Sequence, residues 1–400
     1  TVRVSEGLKK GGNLDKAAKM RALTCLSRFG ERLQDMHASS VRAAGTSALR
    51  RANDSKKFLI EAEAALGHPI EVISGIEEAR LIYSGVSHSL PPNDGMRLVL
   101  DIGGGSTELI LGLGVVPKAL ESLHLGCVGL TERFFPDGLI TAEAFNAARV
   151  AARLELRPVK AYFRNNPDIE AIGTSGTINS TARVAEQLGL TDENELSADV
   201  LENVIKRVLE FDTISSLSLP GLSERRAQVW PGGLSILVEL LEVLRVERLG
   251  VSDGALREGL LYDQLGRLQH EDARERTVRA MQTRYNVDRL QANRVADLAL
   301  TMLAQCRQQW GLDTPMANSM LEWSGLLHEI GLDISHDGYQ RHGAYIAANA
   351  DMPGFPSAEQ KLLAFLIARQ RRSLDVRSDN QLPADWKVSS LRLAILLRLA

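Results

Sequence analysis

Apolar residues recur at helical spacing over residues 13–37 and 54–66, and the segment between them, SVRAAGTSALRRA, has the order of a strand, a loop and a helix. PIEVISGIEEARLIYSGV (69–86) repeats that plan, with a short strand, a turn at Ser74-Gly75 and a helix. After the turn cluster SLPPNDGM (89–96) the period changes to two, and RLVLDIGGGSTELILG (97–112) reads as two strands joined by a glycine turn. Strands and helices mix to about residue 266, an α/β pattern. From 267 strand signals stop, and long helical patterns such as RLQANRVADLALTMLAQCRQQW predict a separate all-helical domain.

Four hundred residues exceed what one core usually organises, so two or three domains are expected. A formal net charge of −3 excludes a globally basic nucleic-acid binder, and a polyanionic ligand would have to meet a local basic surface. No apolar run reaches the roughly 18 residues of a membrane span, which makes a cytoplasmic location the default. Cys25, Cys127 and Cys306 are odd in number and far apart, as expected of reduced thiols. The chain opens at Thr1 without Met and stops inside the helical pattern SLRLAILLRLA, so it reads as a piece of a longer protein.

Candidate chemistry centres on Gly103, Gly104 and Gly105. They fit neither the dinucleotide fingerprint, which opens a helix, nor a phosphate loop of the Gly-Lys-Ser/Thr type. A glycine turn between strands is either a plain tight hairpin or an anion nest of converging N–H groups. Asp101 before the turn and Glu108 after it favour the nest, because two carboxylates beside a bound anion require a bridging divalent cation, commonly Mg²⁺. In SGIEE (74–78), Ser74 and Glu77 match a capping box, which leaves Glu78 as a helix-dipole partner or as a base for water attacking phosphorus. GTSGT (173–177) is a strand-to-helix turn, either an N-cap or a phosphate site using the Ser175 and Thr177 hydroxyls. SDGALREGLL (252–261) suggests packing or hinge duty.

Taken together, LVLDIGGGSTELILG, VISGIEEARLIYSGV, GTSALR, GTSGT and SDGALREGLLY resemble the exopolyphosphatase and guanosine pentaphosphate phosphohydrolase family, within the actin, sugar kinase and Hsp70-like superfamily. The resemblance covers most of residues 40–265, and the helical remainder is similar to the family's last domain. It implies an α/β fold of two ribonuclease-H-like (actin-like ATPase) lobes flanking a cleft, residues 1–84 and 85–266, followed by an all-α HD-like domain, 267–400. It also implies cleavage of a terminal phosphoanhydride with release of orthophosphate. Carried onto matching positions, Glu78 is the catalytic glutamate, Asp101 and Glu108 serve the metal and the reacting phosphate, and Arg50 contacts phosphate. Gly103, Gly104, Gly105, Ser106 and Thr107 cradle the phosphate together with Ser175, Gly176 and Thr177. Mg²⁺ is the implied activator, with a monovalent cation such as K⁺ as a further candidate, in a cytoplasmic homodimer that is at most peripheral at a membrane.

Processive hydrolysis of inorganic polyphosphate is the first expectation, because SLSLPGLSERRAQVWPGGLSIL (216–237) looks nearer to exopolyphosphatases. Hydrolysis of pppGpp at its 5′ end, with ppGpp as the related nucleotide, is the alternative. A sensor that binds phosphate or nucleotide without turnover is a third. Two departures accompany the resemblance. The leading Asp-Leu-Gly-Ser-Asn-Ser hairpin of the family does not precede Thr1, and the helical domain offers His328, Glu329, His336, Asp337 and His342 where a working HD site needs a His-Asp pair. That domain is read as a metal centre or as an inert, substrate-guiding or dimerising fold. Arg369, Arg371 and Arg372 are candidate guides for a long anion or a solvated helix face, and Lys56, Lys57, Arg225 and Arg226 are weaker candidates of the same kind. Gly254 and a turn near Ser84-Gly85 are expected hinges.

Overall fold

Two short strands, β1 (Ala43–Gly45) and β2 (Ile70–Val72), lie early in the chain, and six more build one sheet: β3 (Met96–Ile102), β4 (Thr107–Leu113), β5 (Val116–Leu123), β6 (Glu170–Thr174), β7 (Glu195–Leu196) and β8 (Leu249–Val251). The computed structural model describes residues 4–8, 11–37, 40–164, 169–191, 195–268, 272–372, 374, 382 and 386–400. One compact unit comprises Thr1–Ile70 and Ser74–Leu265, and a second comprises Glu71–Ile73 and Gly266–Ala400.

Strand order in the sheet is β5-β4-β3-β6-β8-β7. β3, β4 and β5 form an antiparallel meander, β6 runs parallel to β3, and β8 runs parallel to β6. β3 is central and buried from Arg97 to Ile102, which explains its near-continuous apolar run. Its register sets Asp101 opposite Glu108 on one side and opposite Thr174 on the other, so all three residues share one end of the sheet. The helix Trp230–Leu244 is apolar on almost every face and is buried accordingly, joining Leu98, Leu100, Leu109 and Ile178 in the largest core.

A smaller core ahead of the sheet joins the helices Lys16–Leu33 and Ser55–Leu66 through Leu14, Ala22, Phe58 and Ala62. The helix Gly75–Ser89 starts where the sequence predicts, with the Ser74 hydroxyl accepting from the Glu77 amide at 3.1 Å. Ser84 and Gly85 lie inside this helix, so the expected hinge turn there is not present. Gly85 is small for a different reason: a Cβ on it would stand 2.0 Å from the Ala255 carbonyl oxygen, and one on Gly259 would stand 1.8 Å from that of Leu81. Helices Gly75–Ser89 and Leu256–Leu268 thus cross nearly backbone to backbone. Gly254 belongs to the same contact, its missing Cβ leaving room for Ser89.

From residue 272 onward the described residues are helical or loop, and the core there includes Trp323 set edge-on to Phe355 at 5.1 Å. Among the described residues no helix is long and apolar enough to cross a membrane.

Candidate active site

A cavity of about 510 Å³ opens in the first unit, and Glu78, Asp101, Glu108, the turn Gly103–Ser106, Ser175 and Gly176 all line it. The glycine turn answers a packing demand, since none of its three glycines has positive φ. A Cβ on Gly104 would come within 2.8 Å of the Ser5 hydroxyl, and one on Gly105 within 2.8 Å of the Ser47 hydroxyl. The Gly103 amide closes the turn onto the Ser106 carbonyl at 2.9 Å, so it donates within the protein and is not an anion donor. The Gly103 and Gly104 carbonyls accept from the Cys127 and Val128 amides, each at 3.0 Å, at the start of the helix Cys127–Phe134. In a trans peptide the N–H points opposite its carbonyl, so the Gly104 and Gly105 amides face away from that helix, on the cavity side. No hydrogen bond from either amide is found among the described residues, which leaves both as donors available at the cavity lining.

Three carboxylates converge on the cavity. Glu78 is 8% exposed, Asp101 4% and Glu108 1%. Burial raises the Glu78 pKa, and the Arg50 charge, with hydrogen bonds from Arg50 and Thr46, holds it partly down. The Arg50 guanidinium donates to Glu78 at 2.9 Å, so the short helix Ser47–Arg51 delivers the predicted arginine straight to the predicted base. Asp101 is raised by burial to about 7, opposed by a hydrogen bond from Ser175 and reinforced by the Glu78 charge. Glu108 is pushed well above its ordinary value by burial and by the charges of Glu78 and Asp101, although the Ser106 and Ser122 hydroxyls donate to it. The Ser122 bond is 2.8 Å.

Ser175 donates to Asp101 at 2.6 Å with its own backbone at φ 69°, a left-handed conformation uncommon for a residue with a side chain. The Asp101 bond holds that conformation at the mouth of the helix Ser175–Gln187. Gly176 makes room for Arg226: a Cβ there would overlap the guanidinium at 1.8 Å. Arg226, placed among the weaker candidates by sequence, therefore lines the cavity beside the strand-to-helix turn. Thr46 and Ser47 of the GTSALR motif also line it, residues that the sequence reading of Arg50 alone does not identify.

Other predicted residues sit elsewhere. Thr107 is wholly buried and its hydroxyl donates to the Leu125 carbonyl at 2.5 Å, so it does not cradle phosphate. Thr177 is also wholly buried, packs where Gly233 lacks a Cβ, and leaves its hydroxyl without a partner in the core. The hydroxyl-to-phosphate role expected of Thr177 is therefore withdrawn. Lys56, Lys57 and Arg225 are exposed and do not line the cavity.

In the second unit Arg369 is buried at 8% exposure over the Phe365 ring, which rules it out as a surface guide. Arg371 and Arg372 are exposed beyond the end of the helix Ser357–Arg369, Arg371 over the Tyr339 ring and Arg372 paired with Asp337 at 3.1 Å. The His328 ring faces the Gly325 carbonyl at 2.7 Å. Among the described residues no three His, Cys, Asp or Glu are grouped to hold a metal ion.

Residues 1–268 match the Ppx/GppA phosphatase family, and residues 273–400 match Ppx/GppA phosphatase, domain III. The guanosine-5′-triphosphate,3′-diphosphate pyrophosphatase of Vibrio cholerae serotype O1 is 40% identical over 405 residues, covering 99% of this chain and 80% of the relative. The protein of the same name from Photobacterium profundum is 38% identical over 398 residues, covering 100% of this chain and 78% of the relative. Among solved structures, an exopolyphosphatase from Cytophaga hutchinsonii superposes with a TM-score of 0.57 at 27% identity, covering 65% of this chain and 86% of its own. The Aquifex aeolicus Ppx/GppA family member gives 0.54 at 28% identity, over 67% and 87% of the two chains.

Proposed function

The chain belongs to the Ppx/GppA phosphatase family, a family of phosphoanhydride hydrolases with the actin-like fold, and from that premise we propose that it hydrolyses the terminal anhydride of guanosine 5′-triphosphate 3′-diphosphate. The products are orthophosphate and guanosine 3′,5′-bisdiphosphate. The observation that carries the choice of substrate is the near full-length similarity to relatives named for that nucleotide. It reverses the order read from the sequence, where polyphosphate came first.

The donor set suits Mg²⁺. Three carboxyl groups share the cavity with the Arg50 and Arg226 guanidiniums, and a divalent cation would favour their ionised forms and join them to an entering phosphate. Mg²⁺ typically takes one or two carboxylates and completes its shell with water and substrate oxygens, which matches the cross-strand pair Asp101 and Glu108 and does not require an all-protein cage. When bound, the ion neutralises charge on the phosphate.

The remaining work belongs to the chain. The Gly104 and Gly105 amides hold a terminal oxygen where charge grows during transfer. Glu78, its pKa lifted by burial, orients water and takes its proton, and Arg50 fixes the carboxylate it pairs with. Arg226 meets a phosphate oxygen from the Gly176 side. The lobe segments need only position and neutralise, because phosphoryl transfer asks little covalent chemistry of the protein.

Polyphosphate remains the second reading, favoured by the superposition on an exopolyphosphatase. The ratio of kcat/KM for pppGpp to that for long-chain polyphosphate, measured on the full-length protein with Mg²⁺, decides between them. A ratio above about tenfold supports the proposal, and a ratio below one returns polyphosphate to first place.

A further inference from the structure

Glu77, the neighbour of Glu78 in the chain, belongs to a group of four charged side chains that the chemistry above does not use. Glu77 is wholly buried, and Arg80 holds it in a fork, its Nε donating to one carboxylate oxygen and its Nη2 to the other, both at 2.8 Å. The same Nη2 donates to Asp263, and Asp263 accepts from Arg42 through its second oxygen. Arg42 closes the ring at 4.0 Å from Glu77, with only 6% of its side chain exposed. Burial opposes the Arg80 charge, but Glu77 and Asp263 outweigh it and raise its pKa.

The geometry points to Arg42, Glu77, Arg80 and Asp263 as positioning residues that fix the Glu78–Arg50 pair for attack on the anhydride, an inference that rests on the hydrolytic reading above. Glu77 is the residue immediately before Glu78 in the first turn of the helix Gly75–Ser89. Arg42 immediately precedes β1, whose end leads through Thr46 and Ser47 into Arg50. The ring therefore clamps both segments that meet at the 2.9 Å Arg50–Glu78 contact.

A purely structural tie would not need these charges. The crossing of Gly75–Ser89 with Leu256–Leu268 is already fixed by the close approach at Gly85 and Gly259. Taking four charges out of water is expensive, and apolar side chains of like volume usually serve stability as well or better. What the ring adds is direction: forked, charge-assisted bonds hold a backbone in one rotational setting, whereas apolar packing tolerates small slips. A slip of about 1 Å at a reacting group costs on the order of 10²-fold in rate.

The test replaces the whole ring with apolar residues of similar size, Arg42→Met, Glu77→Leu, Arg80→Met and Asp263→Leu together, in the full-length protein. Melting temperature, kcat and KM for phosphate release from pppGpp with Mg²⁺, and the Kd for ppGpp are measured beside the parent. The inference expects a melting temperature at or above the parent's, a Kd within about threefold, and a kcat lower by roughly 10–100-fold. A folded variant with kcat within twofold of the parent overturns it. If the quadruple variant does not fold, Arg80→Lys decides, since it keeps the charge and loses the fork on Glu77. A drop in kcat of about threefold or more at an unchanged melting temperature supports the inference, and unchanged kcat overturns it. A parent protein inactive on pppGpp refutes the hydrolytic reading itself, a result distinct from any difference between parent and variant.

Discussion

Asp101→Asn separates what the buried carboxylates contribute to chemistry from what they cost the fold. Burial lifts Asp101 from 3.8 to about 7 in the native protein, while an unfolded aspartate stays near 3.9. Between those values the native state holds a proton that the unfolded state has released. Stability therefore falls as pH rises from about 4 to about 7 and levels off above, the reverse of an aspartate in a favourable ion pair. A rise of roughly three units, at 1.36 kcal/mol each, makes the penalty about 4 kcal/mol at pH 8. Asparagine keeps the shape and still offers an oxygen to the Ser175 hydroxyl, but it carries no charge. In EDTA at pH 8 the first unit of Asp101→Asn should melt on the order of 10 °C above the parent, at 2–4 °C per kcal/mol, and the gain should shrink towards zero at pH 4. Mg²⁺ should narrow the gap by stabilising the parent more than the variant. Scanning calorimetry over pH 4–8 with EDTA and with Mg²⁺ reads each of these. Equal or lower stability of the variant at pH 8 in EDTA, or a gain that does not vary with pH, would refute the reasoning.

Glu78→Gln should lower kcat for phosphate release by about 10²–10⁴ while leaving nucleotide affinity within severalfold, as read by steady-state kinetics and calorimetric binding. Gly105→Val places side-chain carbon against the Ser47 hydroxyl, which a Cβ alone would approach to 2.8 Å, and should raise KM about tenfold or more with a much smaller effect on melting. Thr177→Val removes a buried hydroxyl without a partner, so it should stabilise the protein by about 1 kcal/mol and leave kcat/KM within twofold; a large loss of activity would restore Thr177 to the phosphate site.

The glycine turn and its flanking acids were legible because period-two strands ending at a turn leave few places for Asp101 and Glu108 except one shared end of a sheet. Glu78 was legible from the cap at Ser74, which fixes the helix start and hence the residue at its fourth position. Side-chain direction was not. Thr107 and Thr177 belong to phosphate-like motifs, yet the β4 pleat turns one towards the Leu125 carbonyl and the helix turns the other into the core against Gly233. Arg226 stands fifty residues from Gly176 in sequence, so only the fold reveals that the glycine clears space for it. Ser84-Gly85 looks like a turn dipeptide, but its small size serves a helix crossing with Ala255, far along the chain, which no local pattern encodes. Arg369 reads as solvated in a basic run, and stacking on Phe365 buries it.

Hydrolysis of pppGpp in ¹⁸O-labelled water with Mg²⁺, followed by mass spectrometry of both products, tests the central claim most directly. The account predicts one ¹⁸O atom in the released orthophosphate, none in the nucleotide, and ppGpp as the sole nucleotide product. Release of pyrophosphate, or label on the nucleotide, would contradict attack by a Glu78-held water on the terminal phosphorus.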